Sequence, residues 1–126
     1  MSILKIIKNI VDCDEIVYEY SYHLIETHFN QNINDRKDIK TYGIEVGRKD
    51  IINGQEVSSI KESIKYISPY KNKVDDLINM LHEHCVSPIH LVEVIGEYVD
   101  EWVVDFDNII EEEVSNINYN KELVIL

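Results

Sequence analysis

Four side chains of metal-binding type, His82, His84, Cys85 and His90, crowd into one short stretch. Zinc requires ligands that converge tetrahedrally, and on one helix His82 and His84 point about 200° apart. His82 and Cys85, three residues apart, share a face and would need His90 and a carboxylate brought across a turn. Cys85 also continues an apolar series, so the plainer reading is a core thiol between two solvent histidines, with His90 bonded locally near Ser87. No metal is expected, and His82, Cys85 and His90 stand as the alternative set. Nucleophilic catalysis would need a cysteine or serine beside an oriented base, but the four glycines form neither an elbow nor a phosphate loop. Cys13 lies in Asp12-Cys13-Asp14-Glu15, whose anions oppose a thiolate. Carboxylates are so abundant that no acid-base pair stands out. No catalytic residue and no cofactor is expected, and the chain reads as a non-enzyme.

The carboxylates carry a sharper signal through their distribution. The formal net charge is -12, yet residues 74–120 hold twelve acids and neither Lys nor Arg. The other twelve acids are matched by the twelve bases, so the whole excess belongs to that segment. Binding a nucleic-acid backbone or an anionic membrane needs bases, and neither contact is expected of this half. Glu93/Glu97, Glu97/Glu101, Glu101/Asp105 and Asp107/Glu111 are like-charge pairs four apart, costing together roughly 1 to 2 kcal/mol on a helix. Nine acids from Glu93 to Glu113 would line about 30 Å of helix at ~1.5 Å per residue. That spacing is close to the ~3.4 Å between phosphates of one DNA strand. The plainer reading is a solvated face that favours solubility.

These residues must be positioned by one domain spanning 1–126, since single cores usually take about 100 to 200 residues. A 44% apolar content supplies a core, and no apolar run approaches the ~20 residues of a membrane span. Residues 1–12 carry Lys5 and Lys8 and lack a small-residue cleavage site, so they read as part of the domain and a cytoplasmic location is expected. Ile3, Ile6, Ile7, Ile10 and Val11 recur at helical spacing, although a short strand also fits. Ile16, Tyr18, Tyr20, Tyr22 and Leu24 alternate as a strand. Residues 29–40 are polar and Asn-rich, a loop.

Tyr42, Ile44 and Val46 alternate again, and Asn53-Gly54 is the dipeptide of a type I′ hairpin turn. A two-residue turn there would set Ile44 against Ser63. Shifting by one restores Ile44 to Ile64 and Tyr42 to Tyr66, which predicts a bulge or three-residue loop near Ser58-Ser59. A helix over Val57–Ile67 is the competing assignment. Ser68-Pro69 and Ser87-Pro88 each read as an N-cap followed by proline at the first helical position. The first helix has Tyr70, Val74, Leu77, Leu81 and Cys85 on one face; the second has Val92, Ile95, Val99, Trp102, Phe106 and Ile109. Residues 114–126 form a tail or terminal edge strand. The expected fold is α+β: a three-stranded antiparallel meander, then two antiparallel helices, with an N-terminal helix allowed.

Tyr42-Gly43-Ile44-Glu45-Val46, Ile67-Ser68-Pro69, Leu77, Leu81 and Ser87-Pro88-Ile89-His90-Leu91 resemble a family of short, functionally uncharacterised proteins from anaerobic, spore-forming Gram-positive bacteria. The resemblance spans about residues 41–100. It implies a small bacterial intracellular protein with a sheet followed by paired helices, and carries no catalytic residues. A phage-borne or mobile-element relative would look similar.

The leading expectation is a regulatory or inhibitory protein whose acidic second helix binds a basic surface on a partner protein, where its row of acids could mimic nucleic acid, as in a phage or mobile-element inhibitor of a nucleic-acid-binding complex. Glu93, Glu97, Asp100, Glu101, Asp105, Asp107 and Glu111 would supply charge, and Tyr98 and Trp102 apolar contact. The alternatives are a metal- or ligand-binding protein using His82, Cys85 and His90, and a self-assembling structural or sporulation-associated protein paired as a coiled coil, for which a homodimer is compatible.

Overall fold

The computed structural model describes residues 1–29 and 39–109. Four strands, β1 (Ser2–Cys13), β2 (Ile16–Phe29), β3 (Ile39–Ile52) and β4 (Gln55–Ser68), form one antiparallel sheet in the order β1-β2-β3-β4. Helix α1 (Lys71–Glu83), a 3-10 turn (Pro88–His90) and α2 (Leu91–Glu101) follow, and residues 103–109 are helical after a turn at Trp102. The architecture is α+β, with four strands rather than three. The expected loop keeps only its flanks in view, in β2 and β3; residues 30–38 and the tail at 114–126 lie outside the described residues.

Ser2–Cys13 is strand, not helix. Its apolar positions match a helical period because an edge strand carries isoleucines on both faces. Ile7 packs on the core, while Ile3, Ile6 and Ile10 are solvent-exposed. β-Branched side chains then favour the extended form.

The hairpin joining β3 and β4 is the expected one, with Asn53 at φ 52° and Gly54 at φ 77°, the two positive values a type I′ turn requires. Register shifts between Asp50 and Ile51, and Ile44 duly faces Ile64. A second irregularity, invisible in the sequence, sets Tyr42 against Ser68 instead of Tyr66. There β4 folds across β3. A Cβ on Gly43 would stand 2.3 Å from the Ile64 carbonyl oxygen, so only glycine admits this approach. Thr27 of β2 reaches past Gly43 to bond the Lys65 carbonyl.

One face of the sheet holds the helices. Tyr22, Leu24, Ile44 and Val46 pack with Ile67, with Val74, Leu77, Ile78 and Leu81 of α1, and with Leu91 and Ile95. The Tyr22 hydroxyl donates to the Val86 carbonyl at 2.9 Å, and burial drives its phenol far above the ordinary range.

Both Ser-Pro pairs precede helical turns; Ser87 stands at the N-cap of the 3-10 turn with Pro88 at its start, as expected, though its hydroxyl makes no capping bond, whereas Ser68 is not the cap of α1. Tyr70 is the α1 N-cap, and Ser68 Oγ accepts the Tyr70 N–H at 3.1 Å from the end of β4. Ser87 Oγ is buried without a partner among the described residues. Of the predicted apolar stripe of the second helix, Ile95 is buried and Val99 and Trp102 pack on the core, but Val92 is 62% exposed and Leu91 is buried in its place. The turn at Trp102 resets the helical phase, so one continuous projection does not describe the segment. A coiled-coil seam from Val92 to Ile109 has no continuous helix to stand on.

Candidate functional site

α2 turns Leu91 and Ile95 inward, and its 3.6-residue period therefore turns Glu93, Glu97, Asp100 and Glu101 outward, where all four are exposed. Glu93 accepts from His90 Nδ1 at 3.1 Å, the local contact expected near Ser87. Tyr98 is partly exposed beside Trp102, their ring centroids 5.6 Å apart. With Leu77 and Met80 of α1 these rings line a groove of about 230 Å³ between the helices.

Asp105 leaves this set. It is 6% exposed and accepts at one oxygen, Oδ2, from Lys73 Nζ at 2.7 Å and from Ser68 Oγ at 3.1 Å. Lys73 Nζ also lies 5.2 Å from the Trp102 ring centroid. The lysine just before the base-free segment thus folds back onto it. Asp107 is exposed, and Glu111 lies outside the described residues. An even array of charges from Glu93 to Glu113 is therefore interrupted: the helix turns at Trp102, and Asp105 points inward as a structural anchor. The exposed carboxylates of α2 itself cover eight residue steps, about 12 Å.

The candidate metal ligands are not brought together. His82 Nε2 bonds the Lys8 carbonyl, His90 faces Glu93, and Cys85 occupies a positive-φ turn after α1. Among the described residues no group of three or more His, Cys, Asp and Glu side chains is placed to hold a metal.

A second polar site has no counterpart in the sequence reading. On the sheet face away from the helices, cross-strand neighbours Ser21 and Gly47 form a small-residue floor. Lys8 flanks Ser21 on β1 and Lys61 flanks Gly47 on β4. Glu19 faces Lys49 at one end of the floor and His23 faces Glu45 at the other. Diagonal ion pairs, Lys8–Glu19 and Lys61–Glu45, each close at 3.0 Å. The signal available in the sequence was the polar or small residue at every second position of β2 and β3, opposite the core-facing series.

No described helix is long and apolar enough to cross a membrane. No curated protein and no solved structure matches the chain significantly. The model of a family of unknown function, DUF6514, matches residues 1–101, which include all four strands, α1 and α2, and the chain belongs to that family.

Proposed function

We propose that this is a non-enzymatic regulatory protein whose α2 binds a basic segment of a partner protein. The observation that carries this reading is the outward row Glu93, Glu97, Asp100 and Glu101, with the Tyr98–Trp102 groove alongside. Carboxylates steer a cationic partner toward the helix, and the rings supply the apolar contact that slows its departure. A length of about 12 Å suits a short basic helix or loop, such as one on a nucleic-acid-binding protein, better than an extended nucleic-acid channel. An inhibitory role in the bacterial cytoplasm, in a spore-forming anaerobe or on a mobile element, accords with the sequence resemblance.

The test is cross-linked capture from the native cell at low and high salt, using the parent chain and the triple variant Glu93→Lys, Glu97→Lys, Glu101→Lys. The expected result is a basic partner retained at low salt, released at high salt and lost with the triple variant. Equal capture by both proteins overturns the reading.

A further inference from the structure

We propose a second site, independent of α2: a cup for a small anion on the open face of the sheet, centred on Ser21 and Gly47. The cup encloses about 450 Å³, within the ~300–1,000 Å³ typical of small-molecule pockets. Its concavity follows from the course of β4, which rolls over Gly43 toward β2.

Two features specify the ligand's charge. First, the lining holds three ammonium groups, Lys8, Lys49 and Lys61, against two carboxylates, Glu19 and Glu45, while the fourth cation, the Arg48 guanidinium, is taken up by Asp50 at 2.9 Å. One positive charge is left over, in a molecule whose formal net charge is -12. Second, the two ion pairs occupy Lys8 and Lys61 but leave Lys49 with no polar partner among the described residues. His23 lines the same cup beside Ser21, its Nδ1 buried and without a hydrogen bond among the described residues.

The floor is equally specific. A Cβ at position 47 would stand 2.9 Å from Ser21 Oγ, so glycine keeps the hydroxyl free to point at a ligand. A carboxylate or phosphate group can accept from Lys49 and Ser21 together, and both chemistries meet the same donors.

The test is amide-resolved NMR of the full chain, titrated at constant ionic strength with inorganic phosphate and, separately, with acetate. Saturable shifts at Ser21, His23, Gly47 and Lys49 are expected with at least one of the two, and whichever saturates names the group. Binding should weaken about tenfold or more, the effect of ~1.4 kcal/mol, in Lys49→Glu and in Gly47→Val, which fills the floor. Both positions face away from the core. Lys49→Glu keeps the test decisive if valine disturbs the strand. No saturation with either anion, shifts scattered over lysines elsewhere, or unchanged affinity in the charge variant would overturn the proposal.

Discussion

Thr27 Oγ1 donates to the Lys65 carbonyl at 3.3 Å, joining β2 to β4 across the strand between them. The contact exists because Gly43 has no side chain. Backbone oxygen atoms of Ile64 and Lys65 occupy the space a Cβ would need, at 2.3 and 2.4 Å.

Gly43→Ala should therefore cost more than about 3 kcal/mol or force β4 into another register, because backbone rather than a mobile side chain must move. Gly96 offers the control. Nothing lies within 4 Å of its would-be Cβ, and inside α2 alanine should stabilise by about 0.5 to 1 kcal/mol. Urea unfolding measures both; a Gly43→Ala protein within error of the parent would refute the crossing.

Lys73→Met should destabilise by about 1 to 3 kcal/mol. The substitution keeps the aliphatic stem but leaves the Asp105 carboxylate, 8% exposed, with Ser68 as its remaining donor. The ammonium is partly exposed, which places the loss below that of a fully buried pair. A double-mutant cycle with Asp105→Asn should return a coupling above about 0.5 kcal/mol. Strict additivity would mean that the two side chains do not depend on each other.

Tyr22→Phe should cost about 1 kcal/mol at neutral pH, since it strips the Val86 carbonyl of its donor. It should also flatten the alkaline limb of stability. Burial, reinforced by Cys85, holds the folded phenol protonated well above its ordinary value of 10.0. The unfolded chain ionises near that value and the folded chain does not. This contribution is thus complete below about pH 10 and is lost as pH rises toward the folded value. Comparing urea midpoints at about pH 8 and about pH 11 should show the parent losing more than Tyr22→Phe; parallel losses would place the ionisation elsewhere.

Ser87→Ala should be neutral or stabilising by up to about 1 kcal/mol, because the hydroxyl it removes is buried without a partner among the described residues. At a serine that caps a helix the same change costs about 1 kcal/mol. Thermal unfolding separates the two outcomes by sign.

The features legible in the sequence were those fixed locally. Asn53-Gly54 declared its turn because positive φ at both positions is a property of the dipeptide, and the apolar alternation through Tyr22 marked β2. The register near Ser58 followed from requiring Ile44 to meet Ile64. The rest depended on distant partners. Nothing near Tyr42 announces that two further residues of β4 are bypassed before Ser68 pairs with it. Ile3, Ile6 and Ile10 look helical until the sheet shows that an edge strand can expose them. Glu93 and Asp105 both read as acids in one base-free segment, and only the packing of 103–109 against α1 sends one to solvent and the other beneath Lys73. The cup around Ser21 and Gly47 needed all four strands in register before its members met.

Trp102 is the chain's single tryptophan, held between the Lys73 ammonium and the Tyr98 ring. Its fluorescence is therefore an intrinsic, label-free gauge of the helical layer alone. A ligand arriving at the opposite side of the sheet should leave the emission quiet, whereas occupancy of the inter-helix groove should move it, so a single spectrum can sort incoming molecules by the side on which they land.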